Sequence, residues 1–318
     1  MLERLNKVIL CLYLCGICFH ISAQQYGYVQ YNSSSGAPFD QVLSVLQDQA
    51  GFIWIGSQNG LYRFDGIHFD IYSIHTKSQF IHQLHEREGK LIFVNDMGVY
   101  QIDDLLSQPE VSPILEGAIN ETDDLPFYPN DFALGKDQNI WLTQSNHSIG
   151  RLQKGDFKTY RFSKTNKAQQ LAIHEDSKGG IWVLSTLDGL FYFEKSTNTF
   201  EKKLNIKNGN TILINKDYLI IGGDALHVYT INGSNLLLTK TIDLDDDLIT
   251  AMHVDQNDQY IIGTKKGKLF KVSNLNSPPQ TIYGANEAHR VEELDFGHIY
   301  EIYVTTDSKS NNDKLWVC

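Results

Sequence analysis

Glycine spacing at residues 48–66 raises a first chemical possibility, a phosphate-binding loop. In "DQAGFIWIGSQNGLYRFDG", Gly51 and Gly56 are separated by four residues, a spacing at which backbone amides can cradle phosphate groups. Such a loop continues with Lys and then Ser or Thr, whereas Ser57 and Gln58 occupy those positions. The run "FIWI" is instead rich in β-forming residues and lies between two turn sequences. We therefore predict a β-hairpin here rather than a phosphate site.

Carboxylates recur in two patterns that could bind a metal ion. The segment "DLDDD" at 243–247 places four carboxylates close together, but it lacks the glycine and the distal glutamate of a calcium loop. Asp48, Asp176 and Asp255 each begin a short repeated turn, where an aspartate side chain can accept hydrogen bonds from the turn backbone. We predict a solvated loop in the first case and turn-stabilising residues in the second, with no metal site and no cofactor.

The histidines and the possible nucleophiles do not show the spacing of a catalytic site. Five histidines fall on or near strands that could approach one another, namely His82, His85, His174, His253 and His298. No two of them have metal-ligand spacing on one element, so we expect surface or satisfied core residues. The sequence also lacks a recognisable nucleophile with its base, or the paired carboxylates of a glycosidase. We therefore predict no catalytic residue.

The elements that position these residues are repeats. "DSKGGIWVLSTLDGLFYF" at 176–193 copies "DQAGFIWIGSQNGLYRF" at 48–64, and weaker copies start at 86, 135, 215 and 255. A seventh copy begins at "NNDKLWVC". Equivalent positions recur about every 44 residues, which fits one four-stranded propeller blade per repeat. These positions are Trp54, Ile92, Trp141, Trp182, Ile220, Ile261 and Trp316.

The repeats predict an all-β fold, a seven-bladed β-propeller of four-stranded antiparallel blades with the last blade incomplete. One such sheet cannot bury both faces alone, but radial packing against neighbouring sheets can cover them. The four tryptophans could stack on glycans, yet they occupy the same interior position of their repeats. We therefore predict that they pack between blades.

The N-terminus resembles a secretory signal. Residues 1–23 carry two basic residues, the apolar run "VILCLYLCGICFHI" and then "SA" before Gln24, which predicts cleavage after Ala23. A membrane-anchoring helix is the alternative, although 14 apolar residues are fewer than the ~20 that span a bilayer. Cleavage leaves only Cys318, which excludes a disulfide framework. We assign residues 24–318 to the propeller and predict no membrane span in the mature chain.

Charge argues against one class of partner. The chain has 318 residues and a formal net charge of −11, and its acidic residues are dispersed. Nonspecific nucleic-acid binding requires a basic surface, so we expect no nucleic-acid partner.

The order "VLSVLQDQAGFIWIGSQNGLYRFDG", its copy at 171–193 and the preceding "YVQYNSSSG" carry a family resemblance. They resemble the two-component regulator propeller repeats in the periplasmic sensor regions of Bacteroidetes-type hybrid two-component systems. The resemblance covers residues 25–318 and is weakest in the second, fifth and sixth repeats, where isoleucine replaces tryptophan. It implies a periplasmic location and the sensing of extracellular glycans, with the signal passing to a histidine kinase or a DNA-binding output.

Two function classes follow. The first is a noncatalytic sensory module of a two-component receptor that binds an oligosaccharide-like ligand and contacts a second copy or a second propeller of the parent chain. The alternative is a secreted propeller enzyme, a lyase or glycosidase, because one fold supports many functions. A cytoplasmic WD-type scaffold is contradicted by the signal sequence.

The loops ahead of the first strands are the expected ligand site. They should meet at one mouth of the channel, where loops carry function on a rigid scaffold. A role as plain solvated strand starts is the alternative for each residue. The candidates are Asp40, Ser78, Phe127, Gln169, Asn208, Asp247 and His298.

The sequences at the two ends of the chain lead to predictions about the last blade. Residues 25–32 should supply the outer strand of the last blade and so lock the ring. Because "KLWVC" matches "FIWIG", the seventh repeat stops inside its second strand. We therefore expect a fragment of a longer sensor.

Overall fold

The computed structural model describes residues 29–39, 41–103, 105, 110–161, 170–244, 247–283, 301–307 and 312–318. The described chain consists of β-strands and one short 3-10 helix, Ser33–Ser35. The predicted all-β class is therefore confirmed. The signal peptide predicted at 1–23 lies outside the described residues.

Within the described residues, the strands form six four-stranded sheets and one two-stranded sheet, each antiparallel and in sequence order. Blades one to three are β1 (Val42–Gln47), β2 (Ile53–Ser57), β3 (Gly60–Phe64) and β4 (Phe69–Tyr72); β5 (Ile81–Arg87), β6 (Lys90–Asn95), β7 (Gly98–Asp103) and β8 (Glu110–Glu116); and β9 (Pro129–Leu134), β10 (Ile140–Gln144), β11 (Ile149–Gln153) and β12 (Asp156–Tyr160).

Blades four to six follow the same order. They are β13 (Leu171–Glu175), β14 (Ile181–Ser185), β15 (Gly189–Glu194) and β16 (Thr199–Leu204); β17 (Thr211–Asn215), β18 (Tyr218–Gly222), β19 (Leu226–Asn232) and β20 (Asn235–Ile242); and β21 (Ile249–Val254), β22 (Tyr260–Thr264), β23 (Leu269–Val272) and β24 (Gln280–Tyr283). The two-stranded sheet pairs β25 (Ile302–Asp307) with β26 (Asn312–Val317).

The first strand of each sheet packs beside the first strand of the next, so that the sheets form a ring. These contacts run from β1 through β5, β9, β13, β17 and β21 to β25, and β25 in turn contacts β1. The first strands are therefore the innermost strands, and they surround the axis of the ring. This arrangement confirms the propeller with four-stranded antiparallel blades.

Burial explains the sequence pattern of each strand. Every residue of β2, β10, β14 and β22 is buried, because neighbouring sheets cover both faces of these strands, which therefore read as near-continuous apolar runs. In the outer strand β16, "TFEKKL", every residue is instead half-buried or exposed. Trp54 and Trp182 are fully buried in cores between adjacent blades, and Trp141 is 2% exposed. The prediction that these tryptophans pack between blades is confirmed.

The repeated aspartates hold both a turn and a tryptophan. Asp176 Oδ1 accepts hydrogen bonds from the N–H groups of Lys178 and Gly180, both at 2.8 Å. Its Oδ2 accepts the indole N–H of Trp182 at 2.9 Å. Asp48 Oδ2 likewise accepts the indole N–H of Trp54 at 2.8 Å. The turn role predicted for these aspartates is confirmed, and the indole bond explains why aspartate and tryptophan recur together.

Two glycines mark close approach between blades rather than turns. A Cβ on Gly56 would lie 2.7 Å from Cγ2 of Ile81, and one on Gly222 would lie 2.5 Å from Cγ2 of Ile249. Both isoleucines begin the inner strand of the next blade. Gly56, the second glycine of the phosphate-loop spacing, therefore serves inter-blade packing. Gly51 has a φ of 95° and takes the predicted turn.

The last blade differs in part from expectation. At the seventh position the described residues contain two strands, β25 and β26, beside six complete blades. Residues 29–32, the described part of the segment expected as its outer strand, belong to no strand. Residues 29–32 therefore do not form the outer strand predicted for 25–32, and residues 25–28 lie outside the described residues.

The indole bond predicts unequal costs for equivalent aspartate substitutions. Asp176→Ala should destabilise the protein by about 2–4 kcal/mol, since it leaves buried donors, including the indole N–H, without an acceptor. Asp255→Ala should cost less. Among the described residues, the side chain of Asp255 accepts the N–H groups of Asn257 and Gln259 but no indole, since its blade has isoleucine at the tryptophan position. Urea unfolding of both variants measures the difference. Equal losses would contradict a stabilising role of the indole bond.

Candidate functional site

The expected ligand face carries two sets of loops. Because β1 and β2 are antiparallel and Val42 lies opposite Ser57, the loop ahead of the inner strand and the turn after the second strand lie at the same end of each blade. We call this end of the ring the top face. The Asp-x-x-Gly turns lie on the opposite face.

Four of the seven predicted ligand residues lie in the described chain, and all four lie on the top face. The Ser78 hydroxyl donates to Asp96 Oδ2 at 3.1 Å, and the Asn208 amide donates to Asp224 Oδ2 at 2.8 Å. The Phe127 N–H donates to the side-chain oxygen of Gln144, at the end of β10, at 2.6 Å. In each of these bonds the partner lies at the end of the second strand of the same blade or in the turn after it, and it is not another candidate. Asp40, Gln169 and His298 lie outside the described residues.

Asp247 differs from the exposed loop residue that the sequence suggested. It is only 2% exposed, although the segment "DLDDD" was expected to be a solvated loop. Within the described chain, its Oδ2 is buried and has no hydrogen-bond partner. Its carboxylate is therefore not open to ligand from the top face.

The loop of Ser78 builds a polar cluster on the top face. Asp96 accepts the Ser78 hydroxyl on Oδ2, and its Oδ1 lies 2.8 Å from His82 Nε2. The Phe80 ring lies 4.6 Å from the His82 ring, centroid to centroid. The side chains of Asp96 and His82 are 32% and 18% exposed. We call Ser78, Phe80, His82 and Asp96 the Ser78 cluster.

Hydrogen bonds hold this loop in place. The carbonyl oxygen of Ser78 accepts the Thr76 hydroxyl at 2.7 Å and the Asn95 amide at 2.9 Å. Asn95 is fully buried at the end of β6. The cluster is therefore anchored to a blade core, which keeps its polar atoms oriented before a ligand arrives.

The cluster suits ligand binding better than nucleophilic catalysis. A serine nucleophile needs a base within hydrogen-bond reach, and the base is oriented by a third group. Here Ser78 and His82 both bond the carboxylate of Asp96 rather than each other. Sequence analysis singled out Ser78 and His82 but missed Asp96 and Phe80, although the turn "NDMG" was a visible signal for a polar residue at this end.

The inner strands present a second set of polar residues, facing the channel edge. Side chains of one sheet accept the free N–H groups of the next sheet's inner strand. Ser44 Oγ accepts the N–H of Leu84 at 3.0 Å, and Glu301 Oε2 accepts the N–H of Val45 at 2.7 Å. Asp131 Oδ2 similarly accepts a free N–H of β13 at 3.1 Å. We call Ser44, Asp131 and Glu301 the edge caps.

Enclosure by the inner strands shifts the ionisation of groups in the channel. Burial raises the pKa of Asp131 to about 6, and burial together with the nearby charge of Asp131 raises the pKa of Glu301 to about 7. Burial lowers the pKa of His85 to about 4 and also lowers the pKa values of His174 and His253. These histidines lie on the inner strands, as the sequence suggested. Sequence analysis missed both carboxyl groups.

Among the described residues, no group of three or more His, Cys, Asp or Glu side chains is arranged to hold a metal ion. No helix within this part of the chain has the length and apolar character needed to cross a membrane.

Comparison with known proteins identifies the repeat. Residues 36–59 match the family model described as two component regulator propeller. This segment is a repeat of that family. The resemblance drawn from "VLSVLQDQAGFIWIGSQNGLYRFDG" is thereby confirmed. Among curated proteins, no relative matches the sequence.

Solved structures with the same fold include extracellular domains of two-component systems and a lyase. The extracellular domain of the proposed hybrid two-component system BT4673 from B. thetaiotaomicron has a TM-score of 0.68, 20% identity, and coverage of 92% of this chain and 38% of its own. That of BT3049 from the same organism has a TM-score of 0.67, 14% identity, and coverage of 91% and 40%. Virginiamycin B lyase from Staphylococcus aureus, inactivated and solved with quinupristin, has a TM-score of 0.64, 14% identity, and coverage of 87% and 91%. This chain therefore spans about two fifths of the length of these two extracellular domains.

The raised pKa of Glu301 predicts a pH-dependent stability. Its native pKa of about 7 lies above the ordinary value of 4.5, so folding favours the protonated form. The contribution of protonated Glu301 to the free energy of unfolding is complete below pH 4.5 and is lost as the pH rises through 7. Glu301→Gln, which keeps the carbonyl acceptor, should therefore flatten the fall of unfolding free energy between pH 5 and 7.5.

Urea unfolding across this pH range measures the effect. Glu110→Gln, a substitution of an exposed glutamate on β8, is the matched control and should retain the wild-type slope. A Glu301→Gln profile parallel to the wild type would refute the assignment.

Proposed function

We propose that this chain is the noncatalytic sensory propeller of an extracytoplasmic two-component receptor and that it binds a saccharide-like ligand. The observation that carries the proposal is the two-component regulator repeat at residues 36–59, set in a ring of similar sheets. The extracellular sensor domains of similar fold support the same class. In this proposal residues 1–23 direct export to the periplasm, and the partner is a second copy or a second propeller of the parent protein.

We also propose that β25 and β26 are the inner half of a seventh blade. β25 contacts the inner strands on both sides, β21 and β1. Tyr303 and Trp316 pack against the core of blade one. The pair therefore occupies the place of a blade, and two further strands would complete it.

The Ser78 cluster is our proposed ligand site. Saccharides present hydroxyl groups that both donate and accept hydrogen bonds, together with apolar ring faces. Asp96 offers acceptor lone pairs beside a serine hydroxyl and an imidazole, and Phe80 adds a half-buried aromatic ring. Loop residues on a rigid scaffold commonly carry such recognition.

The alternative, a propeller enzyme, has one observation in its favour. A lyase shares the fold, and the pKa values of Asp131 and Glu301, about 6 and about 7, suit acid–base chemistry near neutral pH. Both carboxyl groups, however, already accept backbone N–H groups between sheets. A structural role accounts for these carboxyl groups without a reaction.

Saccharide binding tests the proposal. We expect calorimetry against a panel of oligosaccharides to find a ligand that is recovered unchanged. Asp96→Asn should weaken the binding of that ligand at least about tenfold, because hydrogen bonds to a charged group contribute about 1.5–3 kcal/mol. Asp217→Asn, on the exposed turn between β17 and β18 at the opposite face, is the matched control and should bind as the wild type does.

Other outcomes point elsewhere. If no saccharide binds, or if Asp96→Asn and the wild type bind equally, the proposed site is wrong. Release of a product that depends on Glu301 would establish the enzyme instead.

A further inference from the structure

A row of side chains across blade three brings two cations together. Arg151 on β11 lies directly opposite Lys158 on β12, and on its other side it lies opposite Trp141 on β10. Like charges directly opposite each other on neighbouring strands destabilise a sheet. The row therefore has a stability cost that needs a compensating interaction.

The same row in blade one has that compensation. There Arg63 lies opposite Trp54 and Asp70, and its guanidinium is 3.6 Å from the Asp70 carboxylate. It also donates to the carbonyl of Leu105 at 3.1 Å. Blade three keeps the tryptophan and the arginine but replaces the aspartate with lysine.

Aromatic rings hold the guanidinium of Arg151 in a fixed place. It lies 5.3 Å from the centroid of Trp141, 5.4 Å from that of Tyr160 and 5.5 Å from that of Phe193 on blade four. Lys158 Nζ lies 5.0 Å from the Tyr160 ring. Such cation–π contacts orient a cation without neutralising its charge.

No carboxylate neutralises these cations within the described chain. Neither Arg151 nor Lys158 forms an ion pair there, nor does Lys154 in the adjoining turn. The buried Nε atoms of Arg151 and Arg63 both lack a hydrogen-bond partner in that part of the chain, so the ion pair with Asp70, and not the Nε atom, distinguishes blade one from blade three. Because the whole chain carries a formal charge of −11, a cluster of three cations beside the single carboxylate of Asp156 is a local excess of positive charge.

These cations line one cavity. Its volume is about 400 Å³, and its walls are Arg151, Gln153, Lys154, Asp156 and Lys158. Volumes of about 300–1,000 Å³ are typical of small-ligand pockets. Lys154 and Lys158 are exposed, so that their ammonium groups are open to solvent.

We propose that this cavity, on the side of blade three, binds an oxyanion, a sulfate or carboxylate group that is either free or carried by an acidic saccharide. Arginine presents a planar fork that matches two oxygens of such a group, and lysine adds a point charge. The bound anion neutralises the Arg151–Lys158 pair as Asp70 neutralises Arg63 in blade one. The site is separate from the Ser78 cluster and does not depend on the function proposed for it.

The test is the melting temperature with sulfate, acetate, glucuronate or glucose at constant ionic strength, which keeps general screening equal. For the wild type we expect sulfate, acetate or glucuronate to raise Tm by about 2–4 °C at tenfold its Kd, and glucose to have no effect. Lys158→Asp, which recreates the blade-one pair, should raise Tm without ligand and abolish the anion response. Lys266→Asp, an exposed substitution in blade six with the same charge change, should retain the response.

Each result decides the proposal. An equal anion response in all three proteins would mean nonspecific salt stabilisation, and no response in the wild type would mean no site; either result overturns it. A response to glucuronate alone identifies an acidic saccharide, and a response to sulfate or acetate identifies the anion group itself. Because this readout is independent of Asp96, failure here leaves the top-face proposal standing.

Discussion

The free edge of each inner strand is the constraint on which the ring depends. An edge strand presents N–H and C=O groups without partners, and a buried group left unpaired costs about 1–3 kcal/mol. Ser44 meets this constraint by accepting the N–H of Leu84 on the next sheet. Glu301 does the same for Val45, across the junction between the last and first sheets. Closure of the ring therefore uses a carboxyl group with a pKa of about 7.

Contacts between blades also occupy the face opposite the proposed ligand site. Glu175 on β13 accepts the N–H of Lys136, from the turn of the preceding blade, at 2.8 Å. Within each strong repeat, the turn aspartate uses its two oxygens for turn N–H groups and the indole of Trp54 or Trp182. The polar groups of these turns thus serve the fold. The top-face loops are also held by hydrogen bonds, but they keep partly exposed polar atoms such as those of Asp96.

The sequence predicted the features that repeat. The Asp-x-x-Gly turn, the buried second strand and the packing of Trp54 all follow from periodicity and turn chemistry. The edge caps escaped prediction because they join residues 40 to 256 positions apart, and only the closed ring brings Glu301 to Val45. Asp96 escaped for a similar reason, since its partner Ser78 belongs to the loop that precedes the blade. Burial of Asp247 contradicts its acidic context, which suggested a solvated loop.

Comparison of equivalent residues in different blades separates what the fold requires from what it does not. Where blades agree, as in the bonds of Asp48 and Asp176 to their tryptophans, the common chemistry is needed to build a blade. Where one blade departs from the pattern at a cost, the fold alone does not explain the residue. Lys158 is such a departure, because the sheet would be more stable with the aspartate found opposite Arg63. The Ser78 cluster adds polar atoms that no strand pairing needs, and these two places are therefore where we assign function.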